Sequence, residues 1–309
     1  MVMGVNARHL ELLRCVIEAG SLTAAAARLG ISQPAVTKAV RLMEDQLGFP
    51  LFLRQRGRLV PTAEARMLLP EIIRATSALD AVNRLAEDLQ GLRAGIVTLA
   101  TTPVLANSIA AEAVAHFQSQ HGGVAVDLQV VLNHEAVAAV ADHRVDFGLV
   151  LAPAEHAHVS GEDICAAELI CVMAPGHPLA RSSSISVAEL ARHKLISFDR
   201  QQPLGALVGE AFKAAGLRRI VAVQVSQSTT ACALASAGAG VAVIDGFTSA
   251  EARAAGLVVR PLAPAMRAIA RLLLPRHRPL SRPASRLIDA IRAVAGDMRF
   301  ENAGNREGR

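Results

Sequence analysis

The 309-residue chain has no tryptophan and no tyrosine, and aromatics make up only 3% of it. Its cores must therefore be aliphatic, and a stacking platform for single-stranded nucleic acid, which needs aromatic faces, is not expected. The four cysteines, Cys15, Cys165, Cys171 and Cys232, form neither a paired spacing nor a metal motif. That fits buried thiols in a reducing cytosol. No apolar stretch near the N-terminus reads as a signal peptide. Two long uncharged stretches, Ala94–Ala111 and Ile220–Ile244, are each broken midway by hydroxyl residues. Neither supplies the roughly 20 continuous apolar residues of a membrane span. The expectation is a cytoplasmic protein without membrane contact.

Catalytic signatures are missing as well. The chain has no Gly-x-Ser-x-Gly elbow, no HExxH and no phosphate loop. Gly238-Ala239-Gly240 precedes a strand pattern, whereas a dinucleotide fingerprint follows one. His134, His143, His156 and His158 lie in loop-like surroundings and read as solvated imidazoles. No enzymatic activity, cofactor or metal is expected.

What the chain does carry is uneven charge and one informative segment. Net charge is +3 over residues 1–64, −4 over residues 65–266 and +6 over residues 267–309. A weakly acidic middle between basic ends confines nucleic-acid contact to the N-terminal part, and the Arg-rich tail reads as a solvated end. Residues 21–41 read as two short helices joined by a tight turn. Leu22, Ala25, Ala26 and Leu29 form one apolar stripe with Ser21 as N-cap, and Gly30 ends the helix. A second helix starts near Gln33-Pro34 with Ser32 as cap, and Val36, Val40, Met43 and Leu47 form its buried face. Gln33, Pro34, Thr37, Lys38 and Arg41 lie opposite, with Thr23 and Ser32 beside them. These groups suit base edges and phosphates in a major groove of double-stranded DNA. Residues 51–61 then read as a hairpin with Gly57 at its tip, and Arg54, Arg56 and Arg58 are placed for phosphates.

These residues carry a family resemblance. The run Gly20-Ser21-Leu22-Thr23-Ala24-Ala25-Ala26, then Ser32-Gln33-Pro34-Ala35-Val36, Glu44, Leu47-Gly48, Leu51-Phe52 and Arg54 resemble the winged helix–turn–helix of LysR-type transcriptional regulators. Pro61-Thr62 and the run Ala255-Gly256-Leu257-Val258-Val259-Arg260 look most like the lysine-biosynthesis activator and the opine-catabolism regulators. Ala65 stands where the family commonly has glycine. The resemblance extends through Asp146-Phe147-Gly148-Leu149, Pro175-Gly176-His177-Pro178-Leu179 and Ala237-Gly238-Ala239-Gly240-Val241-Ala242-Val243. It implies a sequence-specific regulator with four parts. These are a winged helix–turn–helix DNA-binding domain over residues 8–65, a linker helix over 66–92, an α/β domain of two subdomains like a periplasmic binding protein over 93–295, and a basic tail over 296–309.

In the linker, Leu68, Ile72, Ala75, Leu79, Val82, Ala86 and Leu89 alternate spacings of four and three, the a/d seam of a coiled coil. A homodimer follows, although an amphipathic helix packed on its own domain has the same spacing. The resemblance implies a tetramer built as a dimer of dimers. Pro70 is expected to kink this helix or to mark where the seam begins.

Beyond residue 95 strand and helix alternate. Strands are expected at Ile96–Thr101, Val124–Val131, Val145–Leu151, Ile164–Met173, Ile220–Val225, Gly240–Asp245, Leu257–Arg260 and Ala268–Leu274. Each uncharged stretch reads as a buried strand, a hydroxyl-bearing turn and a helix start, an arrangement that favours a carboxylate. Thr101 and Thr102 would line one half of a cleft, and Ser226, Ser228 and Thr229 the other. Taken singly, each cluster fits helix capping better than a ligand site, and only the two matching clusters together favour a shared pocket. Asn133 follows a strand end, and Ser197, Asp199 and Gln202 fall in a loop after Leu195-Ile196. There Asp199 could face an amino or guanidino group or simply form a turn. With the resemblance, the expected ligand is a small-molecule effector, amino-acid-like or another small carboxylate.

Overall fold

The computed structural model describes residues 6–55, 58–89, 95–276 and 278–298. The chain divides into two units, one of residues 1–93 with 142–144 and one of residues 94–141 with 145–309. In the first, α1 (Ala7–Ala19), α2 (Leu22–Leu29) and α3 (Gln33–Leu47) each begin at a polar cap position. The Ser21 hydroxyl accepts from the Ala24 amide at 3.1 Å, a cap worth about 1 kcal/mol. Gly30, at φ 65°, turns the chain from α2 into α3 through the left-handed region that glycine enters without strain. Ser32 stands at the cap of α3 but makes no capping bond with its side chain. Pro34 in the first turn has no N–H to offer it, so the hydroxyl stays exposed.

Val36, Val40 and Met43 are buried together with Leu12, Leu13, Val16, Ala25 and Ala26. Leu47, expected in the same row, is only half-buried. Strands β1 (Phe52–Gln55) and β2 (Arg58–Pro61) pair antiparallel, with Leu53 opposite Val60. Glu44 anchors this wing to α3 by accepting from the Leu51 and Phe52 amides at 2.7 and 3.3 Å. Thr62 accepts from the Ala65 amide at 3.1 Å and starts α4 (Ala63–Leu89), a single helix that runs on through Pro70.

The expected seam of α4 divides in two. Ile72 is buried, Leu68 and Ala75 are half-buried, and Arg14 of α1 donates to Thr76 at 3.1 Å. This part packs on its own domain. Leu79 and Val82 are 44% and 64% exposed. The side chains of Ala86 and Leu89 lie outside the described residues, as does the C-terminal tail from residue 299.

The second unit holds two mixed sheets. One is built from β3 (Ile96–Thr101), β4 (Ala125–Val130), β5 (Phe147–Leu151), β6 (Val159–Glu168) and a late strand at Arg267–Pro275. The other comprises β7 (Ile170–Met173), β8 (Ile185–Ser186), β9 (Leu195–Phe198), β10 (Val221–Val225), β11 (Val241–Ile244) and β12 (Val258–Ala263). With the late strand as β13, the orders are β4-β3-β5-β13-β6 and β10-β9-β11-β7-β12-β8. The chain crosses between sheets twice, from β6 to β7 at Leu169 and from β12 to β13. The single strand expected over Ile164–Met173 is thus two strands in different sheets. Both halves are apolar, and their partners, β13 on one side and β11 and β12 on the other, are remote in sequence. No local signal marks the change. Ser197, expected in a loop after Leu195-Ile196, instead belongs to the strand Leu195–Phe198, held between β10 and β11.

Candidate functional site

In the first unit the polar groups of α3 face solvent. Ser32, Gln33, Pro34, Lys38 and Arg41 are exposed and Thr37 is half-exposed. Gln33, Pro34, Thr37, Lys38 and Arg41 share one concave surface with Leu42 and Asp45. The Gln33 side-chain amide donates to the Thr37 hydroxyl at 2.9 Å, and that hydroxyl donates back to the Gln33 carbonyl at 3.1 Å. This holds the Gln33 carboxamide in place and leaves its oxygen and one N–H for an outside partner. Thr23 is exposed near the start of α2. Arg54 and Arg58 fall on the two wing strands, but their side chains, and all of Arg56, lie outside the described residues.

In the second unit a cavity of about 520 Å³ opens between the two sheets. Residues that follow the carboxyl ends of parallel strands line it: Thr102 after β3, Asn133 after β4, Asp199 after β9 and Ser226 after β10. This is where open α/β sheets bind ligands. Gln202 and Ser228 join them, on apolar walls that include Val104, Leu132, Leu151, Phe198 and Leu204.

Thr102 sits at the cap of a helical run that passes from Pro103–Leu105 through a π turn at Ala106–Ala110 into Ala111–Gln120. It is 6% exposed, yet its hydroxyl has no protein partner. A buried hydroxyl left without a bond costs about 1–3 kcal/mol, so a ligand that bonds to it gains by that amount. Asn133 is partly engaged, accepting from the Leu151 amide at 3.0 Å. Asp199 accepts from the Gln201 amide at 2.7 Å and from the Gln224 side chain at 3.0 Å. Its loop is set from behind by Arg219, which donates to the Gly205 carbonyl at 3.0 Å and the Ser197 hydroxyl at 2.9 Å. Burial, reinforced by Arg200, lowers the Arg219 pKa, while Asp199 opposes the shift. Gly205 lies so close that a Cβ there would meet the Asp199 carbonyl oxygen at 1.8 Å.

Three expected cleft residues lie elsewhere. Thr101 is fully buried and donates to the Leu149 carbonyl at 2.8 Å, because the strand's alternation turns it away from the cavity. Ser197 is likewise buried inside β9 and bonded to Arg219. Thr229 is exposed on the helix Ser228–Ser236, off the cavity wall. Conversely, His134, Glu155 and Gln201 line the cavity unforeseen. Adjacency to Asn133 was the only signal for His134, and nothing local marked Glu155. Among the described residues no cluster of three or more His, Cys, Asp or Glu could hold a metal, and no helix is long and apolar enough to cross a membrane.

A winged helical unit with a polar, solvent-facing second helix, followed by two sheets around a cavity, defines a ligand-responsive DNA-binding protein. Residues 7–66 match the family described as bacterial regulatory helix-turn-helix protein, lysR family, and residues 90–296 match the LysR substrate binding domain. The chain belongs to the LysR family of transcriptional regulators. It is 31% identical to the transcriptional activator protein LysR of Escherichia coli K12 over 93% of this chain and 91% of that one. It is 30% identical to the octopine catabolism/uptake operon regulatory protein OccR of Rhizobium meliloti over 80% of this chain and 82% of the other. The fold is that of the LysR family regulator CbnR, with a TM-score of 0.71 at 19% identity over 94% of this chain and 99% of that one.

Proposed function

We propose that the chain regulates transcription in response to an amino-acid-like effector bound in the cavity between its two sheets. The observation that carries this reading is the unpartnered, buried hydroxyl of Thr102, a residue that lines the same cavity as Asp199. A donor group at a helix start and a carboxylate together suit a ligand with both an acidic and a basic end. The names of the relatives, a lysine regulator and an octopine regulator, support the same ligand class. On the DNA side, Gln33, Thr37, Lys38 and Arg41 are the base and phosphate contacts, with Thr23, Ser32 and the wing arginines flanking them. Leu79 and Val82 supply the exposed part of a dimer seam. A dimer presents two recognition helices and so demands a roughly palindromic operator. Ligand closure changes the angle between the two sheets and, through the paired linker helices, the spacing of the DNA-binding units. Pairs of such dimers make the tetramer.

The test is a thermal-shift screen of the whole chain against basic amino acids, diaminopimelate and opines, with aromatic acids as the contrast. A ligand at a hundred times its dissociation constant adds about 2.7 kcal/mol. A saturable shift with one amino-acid-like compound supports the reading. A shift with aromatic acids alone discards the ligand class and keeps the regulator.

A further inference from the structure

One buried carboxylate behind the cavity decides what its second wall can bind. Asp245, which follows β11, has no solvent exposure. Its Oδ1 accepts from the Thr248 amide at 3.0 Å and the Thr248 hydroxyl at 2.9 Å, and its Oδ2 accepts from the Ser228 hydroxyl at 2.6 Å. The Thr248 bonds are those of a residue capping the turn Gly246–Thr248. The Ser228 bond is not: it crosses to the first residue of another helix, and that residue lines the cavity. At 2.6 Å it lies in the range of a hydroxyl donating to an ionised carboxylate. Burial raises the Asp245 pKa, and the bonds from Ser228 and Thr248 work against that rise. Against that rise, the carboxyl accepts from three donors, one of which is the Ser228 hydroxyl.

A hydroxyl has a single proton. With that proton given to Asp245, Ser228 Oγ turns only lone pairs toward the cavity. The helix start at Ser228 would otherwise favour an anion with about half a positive charge, and the Asp245 carboxyl bonded to this same residue opposes that preference. Asp199 lies on the same side. We propose that Asp245 is a positioning residue that fixes Ser228 as an acceptor, so that this wall takes an ammonium or guanidinium group and leaves the ligand's carboxylate to Thr102. The proposal rests on the effector-cavity reading and adds a direction to it.

The test is calorimetric titration of the full chain with L-arginine, with agmatine, which lacks the carboxylate, and with glutarate, which lacks nitrogen. The variants are S228A, D245N and the double substitution, each first checked for a native melting curve. S228A removes only a hydroxyl and keeps the test available if D245N folds poorly. Each single variant should weaken arginine and agmatine about tenfold, and the double variant no more than either alone. Glutarate should be unaffected, or tightened in D245N, where the asparagine amide donates to Ser228 and frees its proton for the cavity. Equal weakening of all three probes, or additive effects in the double variant, would reduce Asp245 to a structural cap and overturn the proposal. Wild-type binding of glutarate alone overturns it while the cavity reading stands. No binding of any probe overturns it as well, and the cavity reading then stands or falls on the thermal-shift screen.

Discussion

Between Gln33 and Arg41, a single helix carries most of the groups proposed to meet DNA. The cavity of the second unit instead draws Thr102, Asn133, Asp199 and Ser228 from four separate strand ends across two sheets. The first arrangement needs only helical periodicity and a buried opposite face. The second needs the crossover at Leu169, the insertion of β9 between β10 and β11, and the close seating of Gly205 on the Asp199 loop. Damage therefore acts differently on the two. A surface group on a helix can be removed without disturbing its neighbours, whereas a cavity residue is held in place by groups that never touch the ligand.

Gly205→Ala probes that difference most severely. A Cβ facing the Asp199 carbonyl at 1.8 Å forces the loop or the helix to move, and a loss of about 3 kcal/mol is expected in urea unfolding. A loss under 0.5 kcal/mol would show that the loop yields freely. Next comes Leu79→Asp combined with Val82→Asp, which places charge on the exposed part of the linker. Sedimentation should show a monomer, and a dimer that survives places the seam elsewhere.

Arg41→Ala should weaken operator binding by about 1–3 kcal/mol in a gel-shift titration and leave ligand-induced thermal shifts intact. Thr102→Val is the converse. It removes the buried, unbonded hydroxyl and should cost about 1 kcal/mol of ligand affinity while operator affinity stays unchanged. If Thr102→Val abolished DNA binding in a well-folded protein, the division of labour between the two regions would fail.

The smallest effect concerns pH. Bonds from Arg292 and Arg271 hold the Glu162 and Asp163 carboxyls below their ordinary values of 4.5 and 3.8. Folded values below unfolded ones mean that these pairs stabilise the protein above the ordinary values and lose that contribution as pH falls through the depressed ones. Both pairs are solvent-exposed, so each is worth at most about 1 kcal/mol. Glu162→Gln with Asp163→Asn should slightly flatten the acid limb of a melting-temperature profile, and an unchanged limb would show that the pairs contribute nothing.

The legible part of the molecule follows from range. Val36, Val40 and Met43, the Ser21 cap and the Gly30 turn are set by neighbours within one or two helical turns, and every one stands where its spacing predicts. Thr102 and Ser228 were legible for a related reason, since a strand, a hydroxyl turn and a helix start occur in one short segment. Thr101, Ser197 and Thr229 were not separable from them. A one-residue step reverses the side of a strand and a single helical step turns a side chain by about 100°. Which side faces the cavity depends on the sheet's placement. Glu155 and His134 gave no usable pattern, because what brings them to the cavity is the packing of the β5 end against the helix that follows β4.

Local periodicity, caps and turns, all encoded within a few residues, were thus enough to establish a winged helical unit, a linker helix and an α/β unit with two hydroxyl-bearing turns, which line a cavity. The sheet change at Leu169, the cavity itself and the bond from Ser228 to Asp245 arise from contacts between segments far apart in the chain. Their geometry exists only once two sheets have packed, since a hydrogen bond is specified to a few tenths of an ångström and a sequence pattern only to a face.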